Sequence, residues 1–449
     1  MKTLKRLVWL YFWLVLGEGA LRKWLLPELD TALLLIRDPL VLLCYLQALR
    51  IGVFPWNAQL GLGVILVLLT GAAGLMAGAP AAVLAFGMRT SFLHLPLIYL
   101  IPRILDRDDV LKMGRFLLYT TPFMAVLFVY QFASPQESWI NKGAFGTHYD
   151  SVRPSGTFPF VTGTALYLSF ASAYIAYGFL QKGRLPLWLL LTATPSVLAS
   201  LAVSGSRLAV TAVAVVGLCA VGAVVVRGKG FGGVAAAGGI ICLAMVVLGN
   251  MHFFQEGRDQ LNRRFEDASP DQNSDTAFIT SRVSGDTELA IRLLGTVPLL
   301  GHGTGLGTSV GSQLTIGERV FLGAEGEWGR LIWESGPILG IGLILYRTWL
   351  AFGIGLTSFK ALRRGEFLGI LLFGACAFNL VQGQWGVTNV QGFACLEAGL
   401  ALAACRRVGP LLAKSIPYRR AALPRRSRDI TPSTRADGLA SRSGGRMRG

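Results

Sequence analysis

The sequence predicts an all-α membrane protein with about twelve transmembrane helices and a large loop late in the chain. Hydrophobic residues make up 53% of the 449 positions and charged residues only 15%, whereas a soluble domain carries about 25% charged residues. Apolar runs of roughly 15 to 23 residues recur, close to the ~20 that a helix needs to cross a hydrocarbon core of about 30 Å. Because the runs are continuous and not alternating, they exclude an outer-membrane β-barrel.

The predicted membrane segments follow one another with short connections, except at two places. In chain order they are residues 7–26, 31–49, 60–77, 81–101, 116–132, 158–180, 185–203, 208–226, 234–248, 331–350, 367–381 and 390–404. The first segment has a basic lead-in but no good small-residue cleavage site, which predicts an anchor that is not cleaved.

Lysine and arginine are concentrated in alternate connections, which predicts the orientation of the chain because positive residues favour the cytoplasmic side. These residues are Lys2, Lys5, Arg6, Arg50, Arg103, Arg107, Lys112, Arg115, Lys182, Arg184, Arg227, Lys229, Lys360, Arg363 and Arg364. Both termini are then cytoplasmic. The two long connections, 133–157 and 250–328, face outward, and the second carries eleven acidic residues against six arginines.

The domain organisation follows from this pattern. Residues 1–405 form a polytopic membrane domain that includes the outward loop 250–328, and residues 406–449 form a basic tail. Twelve Lys/Arg residues follow Ala404, and the net charge is +17. The tail has few apolar residues to order it, so we expect it to be disordered and held near anionic lipid. A tethered basic tail is typical of a topology determinant, and no nucleic-acid partner is expected.

Two motifs resemble sites for metals or nucleotides without fulfilling their requirements, and the cysteines show no metal-binding spacing. "DRDD", from Asp106 to Asp109, contains the Asp-x-Asp spacing of metal-dependent sugar transferases, but it lies among basic residues in a short connection, as a solvated charged loop does. "GHGTGLG", from Gly301 to Gly307, fits neither the dinucleotide fingerprint nor the phosphate loop. The six cysteines have no CxxC spacing. We therefore expect neither a metal nor a cofactor.

Several arginines are expected at the outer surface, each flanked by Ser, Thr, Gly or Pro. They are Arg153 and Arg207, which lie next to membrane segments, and Arg282 and Arg292, which precede the glycine-rich segment. The simpler interpretation is that they anchor the helices at the lipid headgroups. Their convergence favours a phosphorylated ligand, because a guanidinium presents a planar fork to phosphate oxygens.

The stretch "GAEGEWGRLIWESGPILGIGLILY", which begins at Gly323, places acids and an arginine at the start of a membrane helix. Glu327, Arg330 and Glu334 lie at positions i, i+3 and i+7, which share one helical face. Glu327 could then accept a proton from a hydroxyl, with Arg330 as its phosphate partner or orienter and Glu334 as a brace. The alternative is that the three only pair with one another to start the helix.

Charged residues also occur within the apolar segments, where they need partners. Arg37 and Asp38 precede Pro39, which predicts a broken helix. They serve either as interior polar contacts or as a lipid gate. Arg89 and Glu397 receive no predicted role.

Three stretches resemble the O-antigen ligase/polymerase superfamily of bacterial membrane proteins. They are "RPSGTFPFVTGTALYL", "SGSRLAV" and "SRVSGDTELAIRLLGTVPLLGHGTGLG" followed by "EWGRLIWESGPILGIGLILY". Arg282 and Pro298 match the family's spacing between an arginine and a Pro-(apolar)-Gly-x-Gly segment, and Arg292 and Gly303 match an Arg-x10-Gly pattern. Ligases usually carry His-Asn where this chain has Glu327-Trp328. The segments "GALRKWLLPELD" and "IRDPLVLLCYL" look like an exopolysaccharide branch, which favours a polymerase.

The resemblance implies an inner-membrane glycosyltransferase that polymerises undecaprenyl-diphosphate-linked oligosaccharide repeats at the periplasmic face, without metal or cofactor. It implies membrane lipid as a further partner, and a chain-length regulator and other polysaccharide-assembly proteins as candidates. The implied catalytic residues are Glu327 and Arg282. The implied substrate-binding residues are Arg153, Arg207, Arg292, Arg330, Gly301 and Gly303. The alternatives are a ligase that transfers glycan to a lipid or protein acceptor, a polysaccharide flippase or transporter, and a non-catalytic assembly subunit.

Overall fold

A computed structural model describes the backbone of residues 1–142, 145–146, 152–266, 276–318 and 320–406. Within these ranges, the side chains of 145–146, 264–266 and 276–284 are outside the described part. The predicted tail, apart from Arg406, also lies outside it. Statements below refer to the described residues.

The described chain is mostly α-helical, which confirms the all-α class. The long helices are α1 (Lys2–Ala20), α3 (Arg37–Arg50), α4 (Ala58–Met76), α7 (Arg107–Ala133), α8 (Thr162–Leu180), α9 (Leu187–Ser204), α10 (Arg207–Arg227), α11 (Phe231–Gly249), α12 (His252–Glu266), α13 (Thr276–Leu294), α15 (Glu327–Arg363), α16 (Leu368–Gln382) and α17 (Thr388–Ala404). The short ones are α2 (Asp30–Leu33), α5 (Ala81–Met88), α6 (Leu97–Ile104) and α14 (Ser309–Ile316). The strands β1 (Phe145–Gly146) and β2 (Val152–Arg153) pair antiparallel.

Nine helical segments of the described chain are long and apolar enough to cross a membrane. They are Pro27–Arg50, Ala58–Met76, Ala81–Ile104, Arg107–Ala133, Thr162–Leu180, Leu187–Ser204, Arg207–Arg227, Phe231–Gly249 and Glu327–Arg363. Each overlaps a segment predicted from the sequence. The remaining three predicted segments correspond to α1, α16 and α17, which are shorter or more polar.

Three of these segments are interrupted where the sequence places charges, glycines or prolines; the break in Glu327–Arg363, at Gly336, belongs to the site described below. In Pro27–Arg50 the helix stops after Leu33 and restarts at Arg37, so Pro39 falls in the first turn of α3, where its missing N–H costs nothing. The predicted break at this position is confirmed. In Ala81–Ile104 a π-helical turn, Arg89–Leu93, separates α5 from α6.

The predicted cytoplasmic connections meet on one face of the molecule, which we call the basic face. Five contacts join connections that are distant in sequence: Lys5 Nζ to Asp106 Oδ2 at 3.1 Å, Arg103 Nη1 to Phe54 O at 3.0 Å, Arg107 Nη1 to Glu366 Oε1 at 2.6 Å, Arg115 Nη2 to Arg184 O at 3.2 Å and Arg227 Nη1 to Arg363 O at 2.7 Å.

The opposite ends of the helices form a second face, which we call the loop face. Here Thr157 Oγ1 donates to Leu16 O at 2.6 Å, and Trp328 Nε1 donates to Val381 O at 3.1 Å. Between the two faces, α17 is the most deeply buried helix, since almost every one of its residues is enclosed by α6, α8 and α16. The candidate site lies towards the loop face.

Candidate functional site

The site begins at a break in the longest helix. Within α15, Gly336 has a left-handed φ of 77° and is followed by Pro337, so the regular hydrogen bonds to the preceding turn are lost. The carbonyls that are freed are taken up by the glycine-rich segment: His302 N donates to Trp333 O at 3.1 Å and Gly303 N donates to Glu334 O at 2.9 Å. The motif "GHGTGLG" therefore completes a broken membrane helix.

Gly301 and Gly303, predicted to bind substrate, lie against this break. Their φ angles are +69° and +118°, a region that side chains other than glycine rarely adopt. A Cβ on Gly301 would stand 2.3 Å from Glu334 O, and one on Gly303 would stand 2.4 Å from the Cβ of Ala79. This close packing accounts for both glycines; contact with substrate stays a prediction.

Four side chains of α15 form what we call the central charge cluster: Glu327, Arg330, Glu334 and Arg347. Arg330 donates from Nε and Nη2 to Glu327 at 2.9 and 2.8 Å, and from Nη1 to Glu334 Oε2 at 2.7 Å. Arg347 Nη1 donates to Glu327 Oε1 from the other side of the break. The predicted shared face of the first three residues is confirmed, and Arg347 joins them.

Arg347 was not singled out in the sequence, although its position inside an apolar run was a signal. Its guanidinium donates to the backbone carbonyls of Leu380 at 2.8 Å and Gly383 at 2.8 Å. It also lies over the ring of Trp385, 4.2 Å from the centroid. Arg347 thus links α15 to the end of α16 through several donors of one planar guanidinium.

The cluster is almost completely withdrawn from solvent. Glu327 and Glu334 are 1% and 0% exposed, and Arg330 and Arg347 are each 4% exposed. Two carboxylates face two guanidiniums, and Gly307 N donates to Glu334 Oε1 at 2.9 Å. Buried ions of this kind are tolerated only when paired and hydrogen-bonded. In this arrangement the carboxylate of Glu327 is held by both arginines.

A small cavity adjoins the cluster. Its volume is about 20 Å³, enough for about one water molecule. Its lining includes Glu327, Arg330, Arg347, Ser91 and Tyr346. The hydroxyl of Tyr346 has no hydrogen-bond partner among the described residues, so the cavity presents polar groups from three helical segments to one small space.

The second long connection, residues 250–328, which we call the late connection, packs directly against the start of α15. Asp286 of α13 accepts hydrogen bonds from the backbone N–H groups of Trp328 and Gly329, both at 3.1 Å, which caps the helix that carries the cluster. Arg282 precedes Asp286 by one turn of α13. The side chain of Arg282 lies outside the described residues, so its catalytic role stays a prediction.

The other predicted arginines occupy separate positions. Arg153 lies in β2 opposite Phe145, and Arg207 is the first residue of α10. Arg292 has a side chain that is 72% exposed and pairs with Glu288 one turn away. Of the predicted phosphate-binding arginines whose side chains the structure describes, only Arg330 lies in the central charge cluster; phosphate binding by any of them stays a prediction.

A second group, which we call the N-terminal charge cluster, was not recognised as such in the sequence. It consists of Glu18, Arg22, Asp30 and Arg37. Arg22 bonds Asp30 Oδ1 at 2.7 Å and Glu18 Oε1 at 3.2 Å, and Arg37 Nε lies 2.7 Å from Glu18 Oε2. Arg37 Nη2 also donates to Thr388 O at the start of α17. The sequence allowed Arg37 to be either an interior polar contact or part of a lipid gate; in the structure it is an interior contact.

Asp38 and Arg89 also find partners inside the helices. Arg89 Nη2 donates to Asp38 Oδ1 at 2.8 Å, Asp38 Oδ1 lies 3.0 Å from His94 Nε2, and His94 Nδ1 lies 2.8 Å from Tyr11 Oη. These four residues form a continuous polar chain. Glu397, in contrast, is fully buried and its carboxyl oxygens have no hydrogen-bond partner in the described part of the protein.

The "DRDD" motif has a structural role at the basic face. Asp106 and Asp109 form a capping box at the start of α7, and Lys5 bonds both carboxylates. Partial burial acts to raise the pKa of Asp106, but the hydrogen bonds from the backbone N–H of Asp109 and from Lys5 outweigh it and lower that pKa below its ordinary value.

No protein-family model matches the chain, and no curated protein sequence is significantly similar to it.

Proposed function

We propose that the protein is a membrane glycosyltransferase that polymerises undecaprenyl-diphosphate-linked oligosaccharide repeats at the loop face. The observation that carries the proposal is the central charge cluster, because it combines a carboxylate with two guanidiniums directly beneath the late connection. The motifs that resemble the O-antigen ligase/polymerase superfamily supply Glu327, Arg330 and Glu334 and the glycine-rich segment beside them, and Arg347 directly follows the last of these motifs.

The proposed topology has twelve crossings, with the basic face in the cytoplasm and the loop face in the periplasm of a bacterial inner membrane. Twelve segments are available for it, because α1 precedes the nine apolar segments and α16 and α17 follow them. The orientation is supported by the contacts among the Lys/Arg-rich connections, since positive residues favour the cytoplasmic side. The outer compartment has no nucleotide supply, which suits a donor that carries its own diphosphate leaving group.

In the proposed reaction the donor diphosphate binds the guanidiniums of Arg330 and Arg347 in place of the carboxylate of Glu327, because each guanidinium can donate paired N–H groups to phosphate oxygens. Glu327 is then released from its ion pairs, and its carboxylate accepts the proton of the acceptor hydroxyl. The acceptor oxygen bonds to the anomeric carbon while the bond from that carbon to the diphosphate breaks. The electron pair leaves with the diphosphate, which Arg282 and Arg153 also contact.

The polar chain Tyr11–His94–Asp38–Arg89 favours a second candidate, a transporter. Carriers bind or relay ions through polar residues on interrupted helices deep in the membrane. The polar chain contains residues of two interrupted segments, Asp38 of Pro27–Arg50 and both Arg89 and His94 of Ala81–Ile104. The central charge cluster is docked to the late connection through Asp286, which favours the glycosyltransferase as the first candidate.

Lipid-linked oligosaccharides extracted from a strain that lacks the gene separate the two candidates. A polymerase defect leaves single repeats on the lipid at the periplasmic side, where an impermeant glycosidase removes them in intact cells. A flippase defect leaves single repeats that resist the enzyme until the membrane is opened. Normal long polymer in the deletion strain would contradict both.

A further inference from the structure

Lys23 is a buried cation without an acidic partner in the described part of the chain. It lies in the π-helical turn Leu21–Leu25 and is 7% exposed. Its ammonium donates to Ser155 Oγ at 2.9 Å and to Gly156 O at 2.5 Å, both neutral acceptors. The adjacent Arg22, by comparison, is paired with two carboxylates. Since a buried charge normally needs an opposite charge, Lys23 calls for an anion.

The next residue supplies a second donor at the same place. The indole Nε1 of Trp24 is buried and has no hydrogen-bond partner among the described residues. The ring of Trp24 lies 4.9 Å from the ammonium of Lys23. An indole can only donate, and an ammonium has three donors of which two are in use here. The pair therefore offers donors that an acceptor-rich anion would satisfy.

An apolar groove runs towards the membrane interior from this position. It encloses about 190 Å³. Its lining is Trp13, Leu16, Gly17, Phe116, Thr120, Met124, Thr157 and Tyr167. Gly17 precedes Lys23 by six residues, roughly 9 Å along a helix, and Thr157 directly follows Gly156, which accepts from Lys23. The segment that accepts the hydrogen bonds from Lys23 therefore continues directly into the wall of the groove.

We propose that this arrangement binds the polyprenyl diphosphate carrier of the acceptor repeat, with its diphosphate at Lys23 and Trp24 and the start of its polyprenyl chain in the groove, while the diphosphate of the donor binds at the central charge cluster. The inference rests on the proposed function for the identity of the lipid. The charge favours this occupant over a phospholipid of the bilayer, because a diphosphate presents more negative oxygens to the two donors than a phosphodiester does. The cation lies at the loop face and the groove deeper, which matches a lipid standing in the outer leaflet.

Binding to the purified full-length protein in detergent, followed by native mass spectrometry, tests the site with three probes: undecaprenyl diphosphate, phosphatidylglycerol and inorganic diphosphate. Lys23→Met removes the charge. Gly17→Leu places an apolar side chain at the wall of the groove, where a Cβ has no neighbour within 4 Å. Gly217→Leu, on α10 with equally open surroundings, is the matched control.

We expect Lys23→Met and Gly17→Leu each to weaken binding of undecaprenyl diphosphate about tenfold or more, while Gly217→Leu binds as wild type. Inorganic diphosphate should respond to Lys23→Met but not to Gly17→Leu. Unchanged binding in Gly17→Leu overturns the proposal even where Lys23→Met fails to fold. Equal competition by phosphatidylglycerol also overturns it and makes the groove a general lipid contact.

Chain elongation measured on the same variants separates this inference from the proposed function. Carrier binding that depends on Lys23, without any elongation, would support the lipid site and contradict the polymerase. Elongation that is unaffected by Lys23→Met and Gly17→Leu would support the polymerase and contradict the lipid site.

Discussion

The central and the N-terminal charge clusters contain the same groups, two carboxylates and two guanidiniums, but they are assembled differently. All members of the central cluster come from one helix, α15, which is folded back at Gly336 so that Arg347 reaches Glu327. The members of the N-terminal cluster come from separate segments. Glu18 lies in α1 and Arg22 in the π-helical turn that follows it, while Asp30 and Arg37 are the first residues of α2 and α3.

Their surroundings differ as well. The central cluster borders a cavity and the docked helix of the late connection. The N-terminal cluster is closed off by α17, where Thr388 accepts from Arg37 and Gly392 leaves no space beside its guanidinium. The same chemistry therefore serves two purposes in our account: the central cluster can exchange partners, and the N-terminal cluster fixes the first three helices to the core.

The largest effect should come from Glu327→Gln. Glutamine keeps the shape but cannot accept the proton, so turnover should fall about 10² to 10⁴-fold with purified protein and a lipid-linked repeat. Glu325→Gln, two residues earlier and exposed, is the control and should turn over as wild type. A near-normal rate for Glu327→Gln would mean that the residue only pairs with its arginines.

Arg37→Leu should break the N-terminal cluster. It leaves Glu18 buried beside a single arginine, which costs about 3 to 5 kcal/mol of stability, so the protein should unfold at lower temperature in detergent. Arg50→Leu, exposed at the other end of α3, should change stability by less than about 0.5 kcal/mol. Adding Glu18→Gln to Arg37→Leu should recover part of the loss, and failure to recover any would contradict the pairing.

Gly392→Ala tests the packing against Arg37. A Cβ at this position would lie 1.9 Å from Arg37 Nη1, so we expect a loss of about 1 to 3 kcal/mol from overpacking. Gly217→Ala, where a Cβ meets nothing within 4 Å, should be neutral or stabilising by up to about 1 kcal/mol. Equal unfolding temperatures for the two variants would show that α17 does not hold Arg37.

Arg292→Ala should have the smallest effect on stability. The residue is exposed and paired with Glu288 on the same helix, and such pairs contribute about 0.3 to 0.5 kcal/mol. Turnover of the variant decides its predicted role, because loss of a phosphate contact should lower turnover about tenfold or more. Wild-type turnover would leave Arg292 as a surface residue of α13.

The two clusters also show how far the sequence predicts the site. Glu327, Arg330 and Glu334 could be grouped because helical spacing is a local rule. Arg347 could not, since it joins them only through the fold-back at Gly336. Lys23 escaped notice because its partner Ser155 lies far along the chain. Glu18 and Arg22 are four residues apart, which was a usable local signal, but their contacts with Arg37 and Asp30 depend on the fold. The apolar runs were predictable for the same reason as the first group, because length and hydrophobicity are local properties.

We propose that the loop face polymerises lipid-linked repeats, and chain elongation by the purified protein is the direct assay of this activity. The protein, in lipid nanodiscs without added nucleotide, would be incubated with lipid-linked oligosaccharide extracted from the deletion strain and followed by mass spectrometry. We predict lipid-linked products of two or more repeats together with released undecaprenyl diphosphate, and neither with Glu327→Gln. Folded wild-type protein that yields only the starting single repeats would contradict the claim.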